Sequence, residues 1–540
     1  MDSTAIDIVQ DDPGSHISSL CLRGNLSYFH ACREIANLER EADEASKKLA
    51  EIFERLANAK SKANYIRSTM LAKLPNEILS MIFCAAWSAV DPSPRERGRF
   101  QCYVEPQEES RLSVALLVAG VCQKWRAIAL SLPHLWADVR IFIHRQKGDR
   151  ALSVLRDILE RSKRADLTIR LFSPINGDIM HNKIQPALAM LHKEVQRWRS
   201  LQVCASHAVI RDFFKPPVDL SGVHSLYVRS DNDDRDRPFA LLFPLWRNKN
   251  LRPQHVSFSK SIMADVTISW DRVTHVVAAR FTVDQAMTVI RSAPLLTSLE
   301  LIQPDEQERP RRLYSPNFVH ENLQRVTYTA TERCASGGES VFSFNVFPAL
   351  KIVDYHTIHS YDEDSFLEHL IRNKPPIREL KLSGSPYEWY HVLQALKAIS
   401  PTLVRLDFWP NEQGWDESQY DEIFELLAAA NSFPPPPPSN DGTDSNDDQE
   451  MFLPHLEYLS FSSLWPFAWD MIPFFFGLPS DPHRRPLKEF VFDGPDDVIP
   501  KEDLPALLDC WKAGFVVRTG DNRDLIQEAL KFHSSTTTST

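Results

Sequence analysis

From Ile35 to Met70 the apolar residues Ile35, Leu38, Ala42, Ala45, Leu49, Ile52, Leu56, Ala59, Ala63, Ile66 and Met70 recur at alternating steps of three and four. Charged residues such as Glu39, Arg40, Lys47, Lys48, Glu54 and Arg55 fill the positions between them. A mean step near 3.5 keeps one stripe on one side of a helix, which is the seam of a coiled coil. The pattern therefore predicts a long coiled-coil-type helix over 33–70. Four of the eleven seam residues are alanine, which buries little area, so two readings stand. The stripe pairs with a second copy of the chain, or it lies against the protein's own body. Residues 1–32 show no sustained period and are expected to form a flexible lead.

A different pattern occupies 71–140. A helix is expected from Pro75, a residue suited to the first helical turn because its missing N–H would be unpaired there anyway. Its apolar residues Ile78, Leu79, Ile82 and Phe83 are spaced three and four apart. A stretch rich in Pro, Arg and Glu, from about 91 to 111, reads as an exposed insert. The helical pattern resumes at Leu112, Ala115, Leu116, Val118, Ala119, Val121 and Cys122 and reaches Trp125 and Ile128. Pro133 ends it, and Val139, Ile141 and Ile143 alternate as a strand.

Over 141–533 one short pattern repeats: apolar, two residues, apolar, one residue, apolar. It reads Trp198/Leu201/Val203, Val223/Leu226/Val228, Leu296/Leu299/Leu301, Leu323/Val326/Tyr328, Leu350/Val353/Tyr355, Ile377/Leu380/Leu382, Leu403/Leu406/Phe408, Leu456/Leu459/Phe461 and Leu487/Phe490/Phe492. From Leu299 the central positions step by 27, 27, 27 and 26, and the next step is 53, close to two repeats. Such intervals fall within the roughly 20–29 residues of a leucine-rich repeat. Helical patterns lie between the strands, as at Phe366, Leu367, Leu370 and Ile371, at Val392, Leu393, Leu396 and Ile399, and at Ile423, Phe424 and Leu427. One strand and one helix per repeat predicts an α/β fold, a stacked leucine-rich-repeat solenoid. The double step holds a Pro/Asp-rich insert, 433–450, with no apolar content from the prolines to Glu450 and an expectation of disorder. Its five prolines, 434–438, suit a stiff spacer, or a ligand for an SH3 or WW groove. The apolar run Trp465–Leu478 is too short to span a membrane and is broken by Pro466, Asp470 and Pro473, so it reads as a buried connection. The tail 534–540 is Ser/Thr only and is expected to fray.

Charge narrows the partner. A net charge of −11 and a pI near 5.9 argue against nucleic acid, whose phosphates are bound through a basic face. Arg309-Pro310-Arg311-Arg312 is the strongest basic cluster and reads as a solvated loop. The eight cysteines are scattered, with no pair at zinc-site or redox spacing. The first twenty residues have no apolar core for an export signal. Both features suit a reducing compartment, cytosol or nucleus.

Candidate chemistry is sparse. With 16 glycines there is no phosphate-cradling loop or dinucleotide fingerprint, and no serine sits in a nucleophile elbow. His356 and His359 lack an acidic neighbour at metal-ligand spacing. Asp362, Glu363 and Asp364 suit a helix start, where negative charge meets the helix dipole, and Asp496-Asp497 lies among turn residues. A non-enzymatic binding protein is expected, without cofactor or metal. The leucines of the repeated pattern are core. Ligand contacts would come from the intervening strand positions, such as Glu300, Arg325, Thr327, Lys381 and Arg405.

Residues 71–136 resemble an F-box. The match runs Leu74-Pro75-Asn76-Glu77-Ile78-Leu79, Ile82-Phe83, Val118, Val121-Cys122, Trp125 and Pro133-His134-Leu135-Trp136, about an eighth of the chain. The heptad helix running into Leu-Pro, with Pro-x-Leu-Trp shortly before a repeat region, is similar to the F-box proteins of mushroom-forming fungi. The polar insert is longer than the family's usual connection. The resemblance implies a substrate receptor of an SCF-type (cullin–RING) ubiquitin ligase. Its F-box would dock on the Skp-family adaptor, and through it a cullin, while the repeats bind a protein target. It further implies an adaptor-facing surface of Leu74, Pro75, Ile78, Leu79, Ile82 and Phe83, helped by Val118, Val121 and Trp125. Two other readings stay open: a repeat scaffold without any ligase connection, and an enzyme whose site leaves no sequence signature.

Overall fold

The computed structural model describes residues 26–67, 74–89, 111–142, 148–172, 181–214, 219–230, 251–259, 268–304, 318–330, 340–357, 365–384, 389–410, 422–428, 451–462, 469–476, 485–494 and 499–537. The chain divides into two compact units, residues 1–136 and 137–540. The basic cluster at 309–312, His359, the acidic run at 362–364, the proline-rich insert and Asp496-Asp497 lie outside the described residues.

The first unit is helical: α1 spans Leu26–Arg67, α2 Asn76–Ala89, α3 Arg111–Val121 and α4 Gln123–Ser131, followed by a 3₁₀ turn at Pro133–Trp136. Helix α1 starts ahead of the expected 33, because no glycine or proline follows Gly24 until Pro75 to break it. Pro75 stands just outside α2, its carbonyl accepting the Leu79 amide at 3.2 Å. The helical pattern read continuously from Leu112 to Ile128 is in fact two helices. Cys122 is extended (φ −158°) and its Sγ accepts the Trp125 amide at 3.5 Å, capping α4 as a side-chain acceptor does.

The second unit is mixed α/β, built on a large parallel sheet. Its strands are β1 (Asp138–Phe142), β2 (Leu167–Phe172), β3 (Trp198–Ala205), β4 (Ser225–Ser230), β5 (His255–Ser259), β6 (His275–Ala279), β7 (Ser298–Ile302), β8 (Phe318–Val319), β9 (Arg325–Ala330), β10 (Asn345–Val346), β11 (Ile352–Thr357), β12 (Glu379–Gly384), β13 (Arg405–Pro410), β14 (Tyr458–Ser462), β15 (Glu489–Asp493) and β16 (Val516–Thr519). Strands β8 and β10 pair separately. The other fourteen lie side by side in chain order, each hydrogen-bonded to the next and parallel to it.

Why the strands stack in this register is visible in the repeated apolar triads. All their side chains are buried, none more than 7% exposed. Central residues face central residues across the sheet: Leu299 pairs with Val326, Val326 with Val353, Val353 with Leu380, and Leu380 with Leu406. Just before each strand a backbone amide donates to the preceding repeat, from Gln324 to Thr297, Lys351 to Gln324, Arg378 to Lys351 and Val404 to Arg378, at 2.8–2.9 Å. These bonds satisfy main-chain groups that burial would otherwise leave costly.

Helices cover the apolar face of the sheet. Trp198 stacks on Phe213 of His207–Phe214 (5.3 Å), Tyr355 on Phe366 of Ser365–Asn373 (4.5 Å), and Phe461 meets Phe424 of 422–428 (4.9 Å). In the run read as a buried connection, Trp469, Ile472, Phe475 and Phe476 are buried, whereas Phe474 is exposed. Two buried polar side chains pin this layer. Arg485 is fully buried and donates to the carbonyls of Leu427, Phe452, Leu453 and Phe475; burial lowers its pKa to about 10. His369 is also buried, with Nδ1 3.3 Å from the Phe342 carbonyl. Burial pushes its pKa down to about 4, against the opposing pull of that hydrogen bond. Among the described residues no helix is long and apolar enough to cross a membrane.

Candidate functional sites

Two surfaces stand out, one in each unit. In the helical block, Leu79, Phe83, Ala115, Ile128, Leu135 and Trp136 make the core. Phe83 meets Trp125 edge-on at 4.9 Å, and Trp136 Nε1 donates to the Ala129 carbonyl at 2.9 Å. The Arg111 guanidinium lies 4.0 Å over the Trp87 ring, and Lys124 Nζ donates to the Leu74 carbonyl at 3.1 Å. These two contacts tie opposite ends of α2 to the start of α3 and the start of α4. Helices α2 and α3 are therefore antiparallel, with Met81 and Ile82 at about the height of Leu116 and Leu117.

At that height the block leaves apolar side chains in the open. Ile78 is 41% exposed, Met81 67%, Ile82 40%, Leu117 70% and Val121 49%. The residues read from sequence thus separate into two layers. Pro75, Ile78, Ile82 and Val121 are exposed, and Leu74, Val118 and Trp125 are half-buried. Leu79 and Phe83 are buried and support the surface from beneath. Leu116, read from sequence only as part of the helical pattern, also faces outward, and so do Met81 and Leu117, which were missed. Their signal was available in the sequence, as large apolar residues between those assigned to the stripe. Such a cluster on a small helical block has the character of an interaction surface.

The second surface is the face of the sheet away from the helices. Along β11 the buried residues Val353, Tyr355 and Thr357 alternate with half-buried Ile352, Asp354 and His356; β9 alternates in step, and so does β12 as far as Leu382, beyond which Ser383 is buried on the open face. The open positions named from sequence, Glu300, Arg325, Thr327, Lys381 and Arg405, all lie on this face. Period-two alternation is the reason, since successive side chains point to opposite sides.

Charges on this face are interleaved. Arg405 Nε donates to Asp407 at 2.9 Å while its guanidinium lies 3.5 Å over the Tyr458 ring, and Lys381 Nζ is 3.9 Å from Asp354. Trp409 Nε1 donates to Ser460 Oγ at 3.1 Å, and Arg518 pairs with Glu489. Burial raises the Asp354 pKa against the pull of Lys381, and burial lowers that of His356 against the pull of Asp354. His356 Nδ1 shares a 2.7 Å hydrogen bond with Ser383 Oγ. At the β1 end, buried Asp138 is flanked by Arg140 (3.5 Å) and Arg170 (3.4 Å). A polar depression of about 280 Å³ lies in the turns before β4, β5 and β6, lined by Ser221, Val223, His224, Arg252, Gln254 and Arg272. Among the described residues no group of three or more His, Cys, Asp or Glu is arranged to hold a metal ion.

No family model matches the chain, and no curated protein matches it.

Proposed function

We propose that this chain is the substrate-recognition subunit of an SCF-type ubiquitin ligase. The helical block acts as an F-box on a Skp-family adaptor, and the sheet unit is a leucine-rich-repeat-like solenoid that receives a protein target. Ubiquitin chemistry then takes place on other subunits, and this chain positions the target. The observation that carries the proposal is the exposed apolar row Ile78, Met81, Ile82, Leu116, Leu117 and Val121. Ile78 lies within the Leu74-Pro75-Asn76-Glu77-Ile78-Leu79 opening that resembles an F-box, and Met81 and Ile82 follow it on the same helix. Large apolar side chains left outside a small core stabilise an assembly once a partner buries them, and central buried anchors dominate such interfaces.

Support for the solenoid part comes from fourteen parallel strands laid down in chain order and from triads recurring about every 27 residues. Its open face is broad, polar and mixed in charge, which suits a protein surface. The thiols of Cys32, Cys84, Cys122 and Cys510 are free, in keeping with work in the cytosol or nucleus.

The test is co-expression of the full chain with a fungal Skp-family adaptor and purification through the adaptor. Stoichiometric capture is expected, and Ile78→Asp with Ile82→Asp should abolish it while leaving thermal unfolding unchanged. Failure of the folded wild-type chain to be captured sinks the ligase assignment and leaves a repeat scaffold without that connection.

A further inference from the structure

Helix α1 carries a second apolar surface, independent of the F-box reading. Ile35, Leu38, Leu49, Ile52 and Leu56 of its stripe are 47–58% exposed, and Phe53 beside them is 60% exposed. Ala42, Ala45, Ala59 and Ala63 are exposed as well. Gln123 of α4 bonds to α1 at Asn58, which lies on the outer side of the helix from the stripe. That contact leaves the stripe free.

Charges flanking the stripe identify what covers it. One flank carries Glu39, Ser46, Phe53 and Lys60; the other carries Glu34, Glu41, Lys48, Arg55 and Lys62. Acidic groups thus lie in the first part of the helix and basic groups in the second. In a parallel pair each flanking residue meets the opposite flank of the second copy five positions on. Glu34 would then face Glu39 and Arg55 would face Lys60, both repulsive, and no opposite charges would meet. In an antiparallel pair with Leu49 opposite Ile52, Glu39 faces Lys60 and Glu41 faces Lys62 of the second copy. Symmetry doubles each attraction, and the Lys48/Arg55 approach is the one like-charge contact.

Packing along the stripe favours the same direction. Parallel pairing sets Ala42, Ala45, Ala59 and Ala63 each against itself, leaving four thin layers. Antiparallel pairing sets Ala45 against Leu56 and Leu38 against Ala63, so large meets small, and only the Ala42/Ala59 layers stay thin. Filled layers retain the dispersion contacts that voids forfeit. Phe53 then lies against Ser46 of the second copy, next to the central Leu49/Ile52 layers.

We propose that α1 pairs with α1 of a second copy of this chain as an antiparallel two-stranded coiled coil centred between Leu49 and Ile52. At a rise of 1.5 Å per residue the two C-terminal ends of the helices stand about 50 Å apart. The two helical blocks are thereby carried at opposite ends, each free to hold its own partner.

Sedimentation of the full chain at low ionic strength, over a range of concentrations, tests the pairing. A dimer is expected, and Leu49→Asp with Ile52→Asp should make it monomeric. Glu39→Lys with Glu41→Lys, or Lys60→Glu with Lys62→Glu, should each weaken the dimer roughly tenfold or more. The four changes together should restore it. None of the four residues has an opposite charge three or four positions away in its own helix, so the reversals remove no ion pair within α1. A wild-type chain monomeric at every concentration, or a dimer that survives Leu49→Asp with Ile52→Asp, overturns the proposal. So does tighter association of either double reversal, because parallel pairing would convert its repulsions into attractions.

Discussion

The helical unit and the sheet unit use apolar residues in opposite ways. In the sheet unit Leu299, Leu301, Leu380, Leu382, Leu406 and Phe408 sit against helices of the same chain and are almost wholly buried. In the helical unit Ile52, Leu56, Met81, Ile82 and Leu117 are comparable in size, yet all are at least 40% exposed. The same residue types therefore do different work. In the sheet unit they hold the protein together, and in the helical unit they remain available to other molecules. A parallel sheet normally needs cover on both faces. Among the described residues the helical cover is on one side, and the other side is made tolerable by charge and polar groups such as Arg405, Asp407 and Ser460.

The sharpest break in this comparison comes from truncating one residue of each kind. Leu380→Ala removes a side chain that is 1% exposed and should destabilise the sheet unit by about 2–5 kcal/mol, read as a lower urea midpoint. A value below about 1 kcal/mol would mean that the array relaxes around the void and is not close-packed.

Next in size is the pH response of the sheet unit. His369 has a folded pKa of about 4, whereas an unfolded histidine titrates near 6.5, by the usual value. The unfolded chain binds this proton more readily, so the stabilisation is complete above about pH 6.5 and is lost as pH falls towards 4. The loss is at most on the order of 3 kcal/mol. Urea midpoints measured between pH 7 and 4 should fall in that window, and His369→Leu should flatten this part of the slope. An unchanged slope in the variant would assign the acid sensitivity to other groups.

The smallest expected effect on stability, at Ile82, is the most informative about function. Ile82→Asp places a charge on a side chain that is 40% exposed and can reach solvent, so stability should change by no more than about 0.5 kcal/mol. Its effect should appear as loss of adaptor capture. A large fall in the unfolding midpoint would show that Ile82 belongs to the core of the block, which would erase the contrast between the two units.

Much of this organisation is legible in the sequence. The triads marked nine strands correctly because burying three apolar positions on one edge of a repeat leaves a short, regular trace. Strands β2 and β16 escaped that trace for a local reason. The leading apolar residue in β2 is Leu167, two residues before Ile169 instead of three, and a register shift between Leu167 and Thr168 absorbs the difference. In β16 the leading residue is Phe515, two before Val517, and Thr519 takes the third position. The break at Cys122 was equally hidden, since a helical period continues across it and only the backbone turn reveals two helices. On the block the apolar stripe was readable, but its division was not. Ile78 and Leu79 are adjacent and equally apolar, yet one is exposed and the other buried.

By itself the sequence determined the long helix, the helical block, the repeated α/β units and the paucity of catalytic or metal-binding patterns. Periodicity and local backbone preference are properties of neighbouring residues, so they can be read along a chain. Tertiary structure alone decided that fourteen strands form one sheet in unbroken order, that helices cover one face of it, and that Arg405, Asp407 and Tyr458 from adjacent strands meet on the other. It also decided which apolar residues of the helical unit stay uncovered. Exposure depends on what packs above a residue, and that neighbour is set by the path of the whole chain.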